Sequence, residues 1–122
     1  MPTKKRILII DDEDAFSTLL KLNIERMSGH EVFVASNGEL GLAFVKQCKP
    51  DLVFLDLVMP GAPGLEVLKQ IKAVAPGTPV AILTALWSDE ETKRCLDAGA
   101  YTYLTKPVDP AYLKTSLLAK LG

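Results

Sequence analysis

The chain has 122 residues, a formal net charge of −1 at pH 7, and 48% hydrophobic against 24% charged residues. This length and composition are typical of one globular domain, so we expect a single domain over residues 1–122 and no long disordered segment. The balanced charge argues against direct binding to nucleic acid or to an anionic membrane surface. No apolar run reaches the ~20 residues that a membrane helix needs, and no secretory signal is present, which together indicate a cytoplasmic location.

Apolar runs of strand length alternate with amphipathic stretches of helix length along the whole chain, which predicts a parallel α/β sheet. The predicted strands are Arg6–Ile10, Glu31–Ala35, Leu52–Leu55, Pro79–Leu83 and Tyr101–Leu104. The first, third and fourth are almost continuously apolar, as is typical of strands covered on both faces. We therefore place these three at the centre of the sheet.

Helical periodicity and residues that favour helix ends predict five helices between and after the strands. They run from Asp14 to Gly29, from Asn37 to Cys48, from Leu65 to Val74, from Ser88 to Gly99 and from Asp109 to about Leu121. The fourth is predicted to begin with a capping box, in which Ser88 and Glu91 satisfy each other's backbone donors. Right-handed crossovers then favour a doubly wound sheet with its ligand crevice at the carboxyl ends of the central strands.

Polar side chains follow four of the predicted strands, at the edge where that crevice is expected. They are Asp11, Asp12 and Glu13 after the first strand, Asp56 after the third, Thr84 after the fourth and Lys106 after the fifth. Crowded carboxylates tolerate full ionisation only with a cation among them. Oxygen ligands without nearby histidine or cysteine suit Mg²⁺, so we predict a magnesium site at this edge.

The residue types at this edge suggest a division of roles around the metal. Asp12 and Asp56 could ligate Mg²⁺ directly and Asp11 through water. The remaining carboxylate oxygen of Asp56 would then be a nucleophile able to form an acyl phosphate. Lys106 could neutralise a transferring phosphoryl group, and Thr84 could donate a hydrogen bond to it.

Four motifs carry these residues, and together they resemble the receiver domain of two-component response regulators over essentially the whole chain. The motifs are Ile9–Glu13, Asp51–Gly61, Leu83–Ala85 and Gly99–Pro107. Each is weak alone, but the four in this order and spacing are highly specific. The resemblance implies a flavodoxin-like (βα)5 fold with a five-stranded parallel sheet of order 2-1-3-4-5.

The resemblance also implies a phospho-accepting signalling switch that belongs to a phosphorelay. Asp56 would accept a phosphoryl group from the phosphohistidine of a sensor histidine kinase or a histidine phosphotransfer protein. Asp11, Asp12, Asp56 and the backbone carbonyl of Val58 would hold Mg²⁺, for which Mn²⁺ could substitute. The domain would catalyse only its own phosphorylation and dephosphorylation and would not be an enzyme acting on another substrate.

In the family, the switch hydroxyl, the switch aromatic and the phosphate-sensing lysine correspond to Thr84, Tyr103 and Lys106. Their movement remodels the surface of the fourth helix, the fifth strand and the fifth helix. That surface would contact a downstream effector domain or protein, and it allows for a homodimer after phosphorylation. No effector is encoded in these residues, so we expect either a single-domain regulator or a domain of a longer protein.

Some positions depart from the family's usual pattern. Val58 and Leu86 are apolar where polar side chains often orient an attacking water, which predicts slow loss of the phosphoryl group. The segment Gly61–Gly64 lacks the usual acidic or amide residue, and its proline should stiffen the loop. Trp87 could contact a partner or a second copy, or pack on the fourth helix. His30 lies at the opposite edge, where an inert surface role is expected.

Other interpretations explain parts of the pattern. A phosphohydrolase also forms an aspartyl phosphate, but it usually has a second acid where this chain has Val58, and a cap domain for which there is no room. A degenerate receiver that acts only as an interaction module would not need all the reactive residues. Asp11 and Asp12 could instead cap the first helix. Flavin or dinucleotide binding would require a glycine-rich turn after the first strand, where this chain has Asp11 and Asp12.

Overall fold

The computed structural model describes residues 4–58 and 63–121. These residues form a parallel sheet of five strands with the order β2-β1-β3-β4-β5, which confirms the predicted fold class. The strands are β1 (Arg6–Ile10), β2 (Glu31–Ala35), β3 (Leu52–Asp56), β4 (Val80–Thr84) and β5 (Thr102–Thr105). The helices are α1 (Asp14–Ser28), α2 (Gly38–Cys48), α3 (Gly64–Val74), α4 (Asp89–Asp97) and α5 (Pro110–Tyr112).

The three strands predicted to be central lie at the centre of the sheet. Alternate side chains of β1 enter two separate cores, because neighbouring residues of a strand point to opposite faces. Leu8 and Ile10 pack with residues of α2, α3 and α4, whereas Ile7 and Ile9 pack with residues of α1 and the C-terminal helical segment. All four side chains are fully buried, so the sheet is covered on both faces.

Three strands extend one residue further than predicted, β3 to Asp56, β4 to Thr84 and β5 to Thr105. The hydrogen-bond ladder continues past the apolar runs, and the Leu57 N–H donates to the Leu83 carbonyl at 2.9 Å. Asp56 and Thr84 are therefore the last residues of central strands and not the first residues of loops. The backbone that carries both side chains is held by the sheet.

The end of the chain differs from the single α-helix that was predicted. The Asp109 side chain caps α5 by accepting from the Ala111 N–H at 3.0 Å. The chain then continues as a π-helical segment, Leu113–Leu118, and a 3-10 turn, Ala119–Leu121. Residues five apart lie on the same side of a π-helix, and both ends of the segment are buried in the core. The wider turn thus lets both leucines face the sheet.

Only half of the predicted capping box forms among the described residues. The Ser88 hydroxyl accepts from the Glu91 N–H at 3.3 Å, but the Glu91 carboxylate accepts from Arg94 at 3.0 Å. Residues 59–62 lie outside the described residues. They include Gly61 and Ala62, two of the positions at which the sequence departs from the family's usual pattern. None of the helices within 4–58 and 63–121 has the length and apolar character that crossing a bilayer requires.

The start of α3 lies against the residue that follows Asp56. The Gly64 N–H donates to the Leu57 carbonyl at 3.1 Å. A Cβ atom on residue 64 would collide with the carbonyl oxygen and Cα of Leu57, which are backbone atoms. Position 64 therefore requires glycine, because the backbone of Leu57 leaves no room for a Cβ atom.

We expect Gly64→Ala to lower the free energy of unfolding by roughly 1–3 kcal/mol through this backbone collision, although alanine favours helices. Urea denaturation of the two proteins measures the difference. Gly77→Ala is the matched control, since a Cβ there meets nothing within 4 Å. Equal effects of the two substitutions would show that the contact with Leu57 is not tight.

Candidate functional site

A hollow of about 510 Å³ lies at the carboxyl edge of the sheet. It is lined by Asp12, Glu13, Asp56, Val58, Thr84, Ala85, Leu86 and Lys106. The parallel strands β1, β3 and β4 are neighbours, so their carboxyl ends open on the same side. The structure thus brings together residues that lie far apart in sequence. Asp11 is fully buried, and Tyr103 lies in an adjoining groove that Thr84 also lines.

Three aspartates form an acidic cluster at this edge. Asp11, Asp12 and Asp56 each offer a carboxylate oxygen, and these oxygens all lie within 4.8 Å of one another. Asp12 is exposed, whereas Asp11 is 0% and Asp56 5% exposed. The buried Oδ2 of Asp11 accepts no hydrogen bond from the described residues. Three carboxylates that converge in this way offer only oxygen ligands, so the cluster fits a hard cation such as Mg²⁺.

Lys106 supplies positive charge to this cluster. Its Nζ lies 2.8 Å from Asp11 Oδ2, 3.0 Å from Glu13 Oε1 and 3.5 Å from Asp56 Oδ2. The buried Oδ2 of Asp11 is therefore paired with a positive charge. Burial would lower the pKa of Lys106, but the contacts with Asp11 and Glu13 outweigh it and the net shift is upward. Lys106 therefore remains a cation at neutral pH.

The hydroxyl of Thr84 is engaged by the loop that follows β4. Thr84 Oγ1 donates to the Leu86 carbonyl at 3.0 Å and accepts from the Leu86 N–H at 3.3 Å. On β5, Tyr103 is 6% exposed, and burial raises the pKa of its phenol. Both residues assigned to the switch are thus held in place by neighbouring groups.

Two contacts of Lys106 had no counterpart in the sequence analysis. Glu13 was counted among the carboxylates but given no partner, and the sequence indicates Phe16 only as an apolar residue at helical spacing in α1. The Lys106 ammonium lies 4.5 Å from the centroid of the Phe16 ring, within the range of a cation–π interaction. The three-residue spacing of Glu13 and Phe16 on one helical turn is the only sequence signal for a shared contact.

The structure also shows the surroundings of Trp87 and His30, which the sequence alone did not determine. Trp87 is 54% exposed and stands edge-on to the ring of Tyr103, an arrangement that the sequence did not indicate. His30 lies before β2, away from the hollow, and is half-buried. Its Nδ1 accepts from the Lys5 N–H at 3.1 Å, which gives it a structural contact.

Known proteins share this sequence pattern. A model of the response regulator receiver domain family matches residues 7–118. The chain is 41% identical over 119 residues to the alkaline phosphatase synthesis transcriptional regulatory protein PhoP of Bacillus subtilis, covering 96% of this chain and 48% of PhoP. It is 37% identical to the protein PilH of Pseudomonas aeruginosa, covering 96% of this chain and 98% of PilH.

Solved structures show the same fold. A CheY-like response regulator receiver domain protein from Methanospirillum hungatei superposes with a TM-score of 0.90 at 34% identity, covering 98% of this chain and 94% of that one. The chain spans about half the length of PhoP and of the AfsQ1 transcriptional regulator of Streptomyces coelicolor, at 48% and 50%. The similarity therefore covers one region of those longer relatives.

Asp56 is the carboxylate whose acidity the site changes most clearly. Burial raises its pKa to about 6 and the charge of Asp11 adds to this, while the Val58 N–H, 3.1 Å from Oδ1, and Lys106 lower it. An acid whose pKa is higher in the folded state favours folding most when it is protonated. That contribution is present below its unfolded pKa and is lost as the pH rises through about 6.

In metal-free protein, Asp56→Asn should therefore become more stabilising, relative to wild type, as the pH rises. We expect the difference in free energy of unfolding to grow by about 2–3 kcal/mol between pH 3.8, the ordinary pKa of an aspartate, and pH 7, with most of the change complete near 6. Urea denaturation in the presence of a chelator, repeated across this range, measures it. A difference that stays constant with pH would show that the carboxyl is not perturbed.

Proposed function

The chain belongs to the response regulator receiver domain family, phospho-accepting signalling domains of two-component systems, and from this premise we propose that Asp56 is its phosphoacceptor. The observation that carries the proposal is the position of Asp56 at the end of central strand β3. There its carboxylate lines the hollow, with the Lys106 ammonium 3.5 Å away and the Asp11 and Asp12 carboxylates close by.

The proposed reaction is an in-line displacement at phosphorus. A carboxylate oxygen of Asp56 attacks the phosphoryl group of a phosphohistidine on a histidine kinase or phosphotransfer protein. The P–N bond breaks, its electron pair stays on the imidazole nitrogen, and an aspartyl phosphate forms. Lys106 neutralises the phosphoryl oxygens and Thr84 donates a hydrogen bond to one of them.

Receiver domains generally bind Mg²⁺ at an acidic aspartate cluster, and this chain has such a cluster. We propose that Asp11, Asp12, Asp56 and the backbone carbonyl of Val58 hold Mg²⁺ here. When bound, the ion would supply positive charge to the phosphoryl oxygens and reduce the repulsion among the carboxylates. The convergence of the three carboxylates, of which Asp11 and Asp56 are buried, supports this assignment.

The proposed response to phosphorylation starts at Thr84. If its hydroxyl turns to the phosphoryl group, the groove that Thr84 and Tyr103 both line changes shape. Tyr103 would then move, and with it the surface of α4, β5 and the C-terminal helical segment. A downstream effector domain or protein would recognise the altered surface.

Incubation with acetyl phosphate and Mg²⁺ should add one phosphoryl group to the protein, detected by intact mass and lost in base. Asp56→Asn should abolish the adduct, and so should a chelator. Asp51→Asn is the matched control, because Asp51 lies at the other end of β3 and its Oδ2 accepts from the Arg6 N–H. An adduct of undiminished yield in Asp56→Asn would refute the assignment.

The apolar rim of the hollow predicts slow hydrolysis of the aspartyl phosphate. Val58 is 75% and Leu86 82% exposed, and neither offers a group that could hold a water in line with the phosphorus. Replacing either by asparagine should shorten the lifetime of the adduct, followed by intact mass after removal of acetyl phosphate. A wild-type lifetime of only seconds would contradict this explanation.

A further inference from the structure

Lys106 is contacted by two side chains at the start of α1 that the proposed reaction does not use. Its Nζ donates a hydrogen bond to Glu13 Oε1 at 3.0 Å and lies 4.5 Å from the centroid of the Phe16 ring. Glu13 also lines the hollow into which the Asp56 carboxylate opens. The unphosphorylated protein therefore already holds an anion on the ammonium that we assign to the phosphoryl group.

The three carboxylates around Lys106 differ in how easily each could leave it. The side chain of Asp11 is 0% and that of Asp56 8% exposed, whereas that of Glu13 is 61% exposed. A carboxylate that leaves an ion pair for water loses little free energy, but a buried carboxylate without its partner is strongly destabilising. Glu13 is therefore the carboxylate that Lys106 can give up most easily.

The carboxylate of Glu13 takes no part in capping α1. Glu13 is the N-cap residue of this helix, but its side chain makes no capping hydrogen bond. The backbone of Glu13, by contrast, is part of the fold, since its N–H donates to Asp11 Oδ1 at 2.9 Å and its carbonyl accepts from the Ser17 N–H at 3.0 Å. A substitution of the side chain leaves both backbone groups in place.

We propose that Glu13 is a positioning residue: its carboxylate holds Lys106 in the unphosphorylated protein, and a phosphoryl group has to displace it from the ammonium. The proposal rests on the function proposed above, because it requires that Asp56 accept a phosphoryl group next to Lys106. Both anions need the same ammonium, and they repel each other within one hollow. Glu13 thus stabilises the unphosphorylated protein relative to the transition state of phosphoryl transfer.

The Phe16 ring accounts for the support of Lys106 once Glu13 has left it. Phe16 is half-buried and packs against the core that contains Leu20 and Ile24. The face of an aromatic ring attracts an ammonium but carries no net charge, so it does not compete with a phosphoryl oxygen as a second anion would. Release of Glu13 therefore frees the ammonium for the phosphoryl group without leaving it unsupported.

The rate at which acetyl phosphate forms the adduct at saturating Mg²⁺, followed by intact mass, tests the proposal. Glu13→Ala should raise this rate by about 1.5- to 5-fold, the worth of one exposed ion pair. Glu13→Gln should lie between wild type and Glu13→Ala, because its amide oxygen can accept from Lys106 but carries no charge. The rate at which the adduct is lost should not change, since Lys106 has already left Glu13 in the phosphorylated protein. A merely structural role of Glu13 predicts slower formation, the opposite sign.

Asp14→Asn is the matched control, because it removes an exposed carboxylate from the next position, which is not among the described residues that line the hollow. Phosphoramidate is the second donor, since it carries less negative charge than acetyl phosphate. Displacement from Lys106 predicts the same gain with both donors, whereas simple repulsion of the donor by Glu13 predicts a smaller gain with phosphoramidate. An unchanged rate in Glu13→Ala, an equal gain in Asp14→Asn, or a gain confined to acetyl phosphate would overturn the proposal.

Failure of the proposed function would look different. Neither wild type nor Glu13→Ala would then form an adduct that Asp56→Asn abolishes. An adduct on Asp56 whose rate of formation does not respond to Glu13 would leave the phosphoacceptor intact and refute only the role of Glu13.

Discussion

The structure depends on the compensation of negative charge at one edge of the sheet. Asp11, Asp12, Glu13 and Asp56 bring four carboxylates to this edge, and Lys106 brings one ammonium that contacts three of them. Buried carboxylates that are not compensated raise each other's pKa and destabilise the fold. Because the carboxylates outnumber the ammonium here, further positive charge at this edge would reduce their mutual repulsion.

The fold supplies this arrangement through buried strands whose ends are hydrogen-bonded to their neighbours. The side chains of β1 and β3 next to the site are fully buried, and the ladder continues beyond Asp56 to the Leu57 N–H. The end of β3 thus holds the carboxylate that we propose as phosphoacceptor, and the end of β4 holds the hydroxyl of Thr84. Positioning by the sheet suits a domain whose chemistry depends on placement and charge.

Apolar continuity predicted the three central strands and the residues that follow them, whereas the order of all five strands came from the resemblance to receiver domains. The strands β1, β3 and β4 read as buried because nearly every residue is apolar, and the acidic, hydroxyl and lysine positions follow them. The extension of β3 to Asp56 and of β4 to Thr84 was not predicted. A polar residue after an apolar run is typical of a loop, even where its backbone still pairs with the neighbouring strand. The contacts of Lys106 with Glu13 and Phe16 join residues about 90 positions apart, and pairings of that kind depend on side-chain reach. The π-helical segment buries leucines in the core, and the spacing of apolar residues in the sequence did not distinguish it from an ordinary α-helix.

The energies of the contacts around Thr84 bear on how completely such a switch can act. Exchanging one hydrogen bond for another changes the balance by about 1 kcal/mol. A change from 1:99 to 99:1 needs ~5.5 kcal/mol of preference for the active state. Loop contacts alone therefore fall short. Under the proposed function, the remainder would come from the charged contacts of the phosphoryl group, above all with Lys106, whose ammonium would exchange part of its carboxylate contacts for phosphoryl oxygens. The ammonium that compensates the acidic edge in the resting protein would then also supply the largest preference for the active state in the phosphorylated one.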